Sequence, residues 1–243
     1  MAQWLICIDD TDDIGTKGTG EIAGEIADLL QVHGGSASLV TRHQLFVHED
    51  IPYTSHNSAM CFAYEGPLSG EEIKAIAVAH LCQESAAAAD PGLAFVYLPH
   101  LKNALALQAF GQSAKQQVLT KAAAYELARE LQIDLSEHGG TGQGVIGALA
   151  GLGLRLSGND GRVKGQLKFG QGETPQPFSV ADILQQGALD GVLTTDGDWL
   201  APETQVWLSG KVKAVMAQGR FALLVSQQNG DWHNATKQQL KDY

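Results

Sequence analysis

Near the start of the chain four carboxylates fall within five residues, Asp9, Asp10, Asp12 and Asp13, directly after the apolar run at 4–8. Charges this close repel one another unless water, a cation or hydrogen-bond donors offset them, and hard oxygen ligands of this kind suit Mg²⁺. Gly15, Thr16, Lys17, Gly18, Thr19 and Gly20 follow, and a helical pattern begins behind them. Glycines ahead of a helix leave backbone N–H groups free to face an anion at the positive end of the helix dipole. The expectation is a site for metal-bound phosphate, hence a nucleotide. Asp9, Asp10 and Asp12 would hold the metal, and Thr11, Gly18 and Gly20 would border the phosphates. Asp, Gly and Thr are also ordinary turn and N-cap residues, so a plain acidic turn stands as the alternative. The loop is not a Walker A sequence, because it contains no Gly-Lys-Ser/Thr.

A second stretch at 138–153, HGGTGQGVIGALAGLG, contains G-x-G-x-x-G at Gly142, Gly144 and Gly147. The match to a dinucleotide fingerprint is weak, since no obvious strand precedes it and no acidic residue follows about twenty positions on. Gly140, Thr141, Gly142, Gly144 and Gly147 still offer N–H groups at a helix start, for phosphate or base contact. Equally, such glycines allow helices to pack closely. A polar run at 53–58, YTSHNS, either lines a binding cleft or forms a hairpin corner. Arg42, His56, Asn57 and His138 are the candidate substrate contacts, although a lone histidine is more often structural.

These residues require positioning elements. A strand at 4–8 leads into the acidic loop. Ile22, Ile26, Leu29 and Leu30 then recur at helical spacing until Gly34 and Gly35. Residues 39–47 read as a strand. Ser69 and Glu72 have capping-box spacing at the start of a helix that ends near 90–92, where Asp90, Pro91 and Gly92 make a turn before the strand GLAFVYL. The order strand, strand, helix, strand, helix over 45–110 is that of a ferredoxin-like sandwich. Further expectations are a helix from Pro99 to Phe110 and one long amphipathic helix through Leu131. Strands at 152–156 and 163–169 would flank the turn at 158–161, with a helix at 178–189, a strand pair turning at Gly219, and a polar, mobile tail.

The 243 residues are 44% hydrophobic and 18% charged, without an apolar run long enough to span a bilayer and without the basic and apolar regions of a signal peptide at the start. A cytoplasmic protein with no membrane partner is the expectation. Cys7, Cys61 and Cys82 are odd in number and lack zinc-site spacing, so all three are expected to be buried free thiols. A net charge of −11 gives no general pull towards nucleic acid.

Taken together, IDDTD at 8–12 with its Gly/Thr loop, TRHQLFVHEDIPYTSHNSA at 41–59 and GTGQGVIGALAGLG at 140–153 resemble the archaeal tRNA-Ile 2-agmatinylcytidine synthetase family over roughly residues 1–170. The resemblance implies an α/β (α+β) protein whose kinase-like nucleotide-binding domain, 1–48 and 114–200, is interrupted by a ferredoxin-like insertion at 49–113, with a small C-terminal β appendage and tail at 201–243. It implies ATP and Mg²⁺ as cofactors and phosphoryl transfer or ligation as the chemistry. Asp9, Asp10 and Asp12 would bind the metal or polarise ATP, and Thr19 would be the counterpart of a loop threonine that becomes phosphorylated. Gly140, Gly142, Gly144 and Gly147 would approach the nucleotide. The family's OB-fold and zinc ribbon, which hold tRNA, have no counterpart here. Nucleic acid is therefore not expected as a partner of this chain alone, and a small-molecule acceptor is preferred. The alternatives are a non-catalytic nucleotide sensor, or the catalytic half of a split tRNA-modification enzyme with an RNA-binding partner subunit. Association with a second copy is open.

Overall fold

The computed structural model describes residues 3–51, 56–169, 174–187 and 189–243. The chain forms two compact units, residues 1–157 and 158–243. It is a mixed α/β protein, as the sequence leads one to expect. Among the described residues no helix is long and apolar enough to cross a membrane.

In the first unit the elements follow in the order β1 (Trp4–Asp9), α1 (Thr19–Val32), β2 (Ser36–Ala37), β3 (Thr41–Gln44), β4 (Ser58–Glu65), α2 (Gly70–Glu84), β5 (Gly92–Tyr97), α3 (Ala104–Ala114), α4 (Lys121–Leu131), β6 (Asp134–Glu137) and α5 (Gly144–Ser157). The sheet runs β6-β5-β1-β4-β3, every pair antiparallel, with β2 also on β4. Side chains alternate across a strand, so β1 serves two cores. Ile6 and Ile8 pack with Ile22, Ile26 and Leu30 of α1 and Ile73 and Leu81 of α2. Leu5 and Cys7 pack on the other side with Leu107 of α3 and Ala148, Leu149 and Leu152 of α5. Each such fully buried Ile or Leu contributes about 1.5–3 kcal/mol of burial.

Two helix starts carry out what the sequence encodes. Gly18 opens α1, and Ser69 caps α2 in a reciprocal box with Glu72. Glycine is decisive in α5. A β-carbon at Gly151 would stand 2.3 Å from Cys7 Sγ, and one at Gly153 would stand 2.1 Å from the Leu107 carbonyl oxygen of α3. Close packing is therefore the role of these two glycines.

The second unit comprises β7 (Arg162–Val163), β8 (Leu167–Phe169), β9 (Gln176–Ser179), α6 (Val180–Gln186), β10 (Gly191–Thr194), β11 (Gln205–Leu208), β12 (Gly210–Val212), β13 (Ala214–Ala217), β14 (Arg220–Gln228) and β15 (Asp231–Asn234). Its strands run β7-β13-β14-β15-β11-β9, with β10 on β14, and β8 and β12 form a separate pair. The expected strand pair turning at Gly219 is β13 and β14.

Several expectations change. Residues 152–156 belong to α5, not to a strand: Leu152, Leu154 and Leu156 alternate as a strand would, but the segment continues the helix that starts at Gly144, and Leu152 and Leu154 are fully buried. The long helix expected through Leu131 begins only at Lys121, because Thr120 caps its start by accepting from the Ala123 N–H, and α3 runs on to Ala114. A strand, β6, does precede the glycine stretch. The tail is not wholly loose, since β15 pairs with β14 and Leu240 is buried. Cys82 is exposed, whereas Cys7 and Cys61 are buried. β4 and β5, both from 49–113, flank β1 in a single sheet, and the first compact unit ends at Ser157.

Candidate functional site

A cleft of about 410 Å³ opens in the first unit where β1, α1 and α5 begin or end. The volume lies within the range of small-molecule and cofactor sites. Asp9, Asp10 and Asp12 line it, together with Gly18, Thr19 and Gly20.

The pleat of β1 puts Asp9 on the same face as Leu5 and Cys7, towards α5. There the carboxylate lies so close to Gly147 that a β-carbon would come 1.6 Å from Oδ2. Asp9 is buried, and its carboxyl is pushed up to about 8, chiefly by loss of water and then by the charge of Asp10. Asp10 follows with φ of 53°, a left-handed conformation that side chains other than glycine adopt at about 1–2 kcal/mol. Its carboxyl is raised to about 6, first by burial and then by the charges of Asp90 and Asp12. Thr11 turns inward. It is fully buried, its carbonyl accepts from the Ala86 N–H at 2.9 Å, and its hydroxyl has no partner among the described residues. Asp12 Oδ1 accepts from Thr19 Oγ1 at 3.2 Å.

The remainder of the loop faces elsewhere. Thr16 and Asp13 close an exposed turn on each other, with Asp13 N–H donating to Thr16 Oγ1 at 2.8 Å. Lys17 donates to Glu25 at 2.8 Å and to Glu84 at 2.6 Å, which ties the loop to α1 and α2. The N-cap of α1, Gly18, supplies no side-chain acceptor, whereas Ser69, Asn103, Thr120 and Ser179 cap α2, α3, α4 and α6. The N-terminal end of α1, with Gly18, Thr19 and Gly20, therefore borders the acid cluster without a capping side chain.

The glycine stretch is arranged differently from what its sequence suggests. Its donors converge on Asp90. Thr141 N–H donates to Asp90 Oδ1 at 2.6 Å, the Thr141 hydroxyl donates to Oδ2, and Gln143 N–H reaches Oδ2 at 3.4 Å. Burial alone would raise the Asp90 carboxyl, but these bonds and one from Gly142 N–H hold it below the usual carboxylate range. Gly144 N–H donates to the Asp90 carbonyl at 3.1 Å. Gly140 and Gly142 have positive φ and no room for a side chain, against Asp90 and Glu137 respectively. Lys121 anchors the loop from outside by donating to Glu137 and to the Thr141 carbonyl, both at 2.7 Å.

Of the candidates from the sequence, Asp9, Asp10, Asp12, Gly18, Thr19, Gly20, Gly144 and Gly147 meet in the cleft, with Arg42, His56 and Asn57. Arg42 donates to Ser58 Oγ at 3.1 Å and Gln44 Oε1 at 2.7 Å, and Asn57 donates to the Phe46 carbonyl. Thr11, Gly140, Thr141 and Gly142 do not line the cleft. His138 is outside it, half-buried against Ser136 Oγ at 2.8 Å, with its imidazole pKa lowered by burial and by Lys74. Of the polar run at 53–58, residues 53–55 lie outside the described residues. Sequence reading missed Asp90, which looked like part of a turn, and the apolar wall made by Leu45, Met60, Val118 and Ile146.

For Mg²⁺ the donor set consists of carboxylates, which is suitable, but among the described residues no three His, Cys, Asp or Glu side chains are already grouped to hold a metal. A Mg²⁺ held by one or two carboxylates and completed by phosphate oxygens and water is compatible with that geometry.

No protein-family model matches the chain, and no curated protein does. Solved structures do. The complex of TiaS with an isoleucine tRNA and ATP is 25% identical over 63% of this chain, with a TM-score of 0.55. A tRNA fluorescent labelling enzyme is 25% identical over 62%, with a TM-score of 0.54. The complex of TiaS with the same tRNA, AMPCPP and agmatine, 20% identical over 72% of this chain, has a TM-score of 0.55 and agrees in fold. TiaS is an agmatidine synthetase of isoleucine tRNA. This chain thus has a TiaS-like fold, and it spans only 36%, 36% and 42% of those three chains.

Proposed function

We propose that the chain is an ATP-using enzyme of the phosphoryl-transfer or ligase type. One observation carries the reading: Asp10 and Asp12 and the side-chain-free N-cap of α1 border the same cleft. The α1 terminus would receive phosphate oxygens, and Asp10 and Asp12 would hold the cation that accompanies them. The cation would neutralise charge on the transferring group. Thr19, hydrogen-bonded to Asp12, brings a hydroxyl to that part of the cleft. Catalysis would come mainly from positioning and charge stabilisation. The ATP bound in a like-folded complex supports the choice of nucleotide.

The acceptor we favour is a small molecule held against the apolar wall of the cleft, because the chain is strongly acidic. The tRNA bound in the TiaS complex with ATP favours a second reading, modification of tRNA with RNA-binding parts supplied by another chain. A nucleotide sensor without turnover is the remaining alternative.

The test is incubation with labelled ATP and Mg²⁺, followed by analysis of nucleotide products and intact-protein mass. Formation of ADP or AMP that Asp10→Asn abolishes supports the enzyme. Equal turnover in Asp10→Asn overturns it. Binding without products favours the sensor, and product formation only with added tRNA and a partner favours the split enzyme.

A further inference from the structure

We propose that Asp90 is a positioning residue for this site, a role that rests on the ATP-using reading above. Three or more N–H and O–H donors converging on one anion is the geometry expected of a phosphate-binding nest. In this protein the anion in the nest of the glycine stretch is Asp90 itself, with Thr141 N–H, Thr141 Oγ1 and Gln143 N–H all directed at its carboxylate. Those donors are consequently not available to a ligand, and Asp90 does not line the cleft.

The same residue holds three further parts of the site. Its carbonyl accepts from Gly144 N–H, the first residue of α5. Its own backbone N–H faces the Asp10 carboxylate and acts to lower that group's pKa. Gly140 and Gly144 are packed against it with no space for a β-carbon, 1.6 Å from Oδ1 and 2.2 Å from the carbonyl oxygen. Asp90 therefore fixes the start of α5 and the placement of Asp10 in one unit. The phosphates are left to the start of α1, and the glycine stretch serves as a rigid back wall. Loss of the Asp90 carboxylate should misplace the reacting groups more than it weakens nucleotide binding.

The experiment measures ATP consumption with Mg²⁺ for the wild type, Asp90→Asn, Thr141→Val and Thr141→Ser, with kcat and KM for ATP determined separately and folding checked by circular dichroism. Asp90→Asn is expected to lower kcat at least tenfold with KM within threefold. Thr141→Val should shift kcat in the same direction, and Thr141→Ser, which keeps the hydroxyl, should stay within twofold of wild type. If Asp90→Asn does not fold, the contrast between the two Thr141 variants decides. Unchanged kcat in Asp90→Asn and Thr141→Val overturns the inference and leaves the ATP-using reading intact, as does a change in KM alone or equal losses in Thr141→Val and Thr141→Ser. A wild type that consumes no ATP overturns both.

Discussion

Asp9 and Gly147 occupy one small space: the carboxylate at the end of β1 lies where a side chain at the first turn of α5 would have to be, 1.6 Å from an added β-carbon. The missing side chain at Gly147 thereby sets the depth of the acid cluster. Gly147→Ala should destabilise the protein by about 1–3 kcal/mol, the usual range for overpacking, and abolish nucleotide consumption by pushing Asp9 aside. Gly151→Ala, which meets Cys7 Sγ one turn further along, should cost a similar amount in urea unfolding yet retain a larger share of activity per folded molecule.

Asp9 also predicts a pH dependence. Its folded value of about 8 lies above the ordinary 3.8, so the folded state keeps its proton while the unfolded chain gives it up. Below about 4 both states are protonated and nothing is lost. Between about 4 and 8 stability falls as pH rises, and above about 8 the full penalty applies. In chelator and without nucleotide, Asp9→Asn should be as stable as wild type near pH 4 and more stable by several kcal/mol at pH 9, at about 1.4 kcal/mol per pH unit across the window. Thermal unfolding across this pH series provides the check, and a difference between the two proteins that does not grow with pH would contradict it.

Lys17 carries the charge that a reader of the sequence would assign to phosphate. Its ammonium is instead shared by Glu25 and Glu84, and it does not line the cleft. Partly exposed pairs of this kind contribute about 0–1 kcal/mol each. Lys17→Met should therefore lower stability only slightly and change KM for ATP by less than threefold. A tenfold rise in KM would place the lysine on the nucleotide.

The box at the start of α2 provides a calibration far from the cleft. Ser69 Oγ accepts from Glu72 N–H at 3.3 Å, and Glu72 Oε2 accepts from Ser69 N–H at 2.8 Å. Ser69→Ala should cost about 1 kcal/mol in chemical denaturation and leave nucleotide turnover per folded molecule at the wild-type level.

The parts of the site that were legible in the sequence are local. The apolar run before Asp9, the dense acid cluster and the glycine at the start of α1 state their structure within twenty residues, as do Ser69 and Glu72. What was hidden depends on distant pairing. Asp90 looks like a helix-ending turn until the sheet brings β5 beside β1 and the glycine stretch folds over it. β6 is short and polar, so its strand character comes from pairing with β5 rather than from alternation. Val118 and Leu119 fit a helical period, yet Thr120 starts a new helix and releases them to the cleft. Residues 152–156 mislead because Leu152, Leu154 and Leu156 alternate at strand spacing, although the segment is the last part of a helix that begins at Gly144.

The three thiols differ in accessibility in a way an experimenter can use. Cys82 lies on the outer face of α2, while Cys7 and Cys61 are opposite each other on β1 and β4 with no exposed surface. A maleimide dye should thus attach at one defined point on the native wild-type chain, and the appearance of a second and third adduct would time the separation of the central strands.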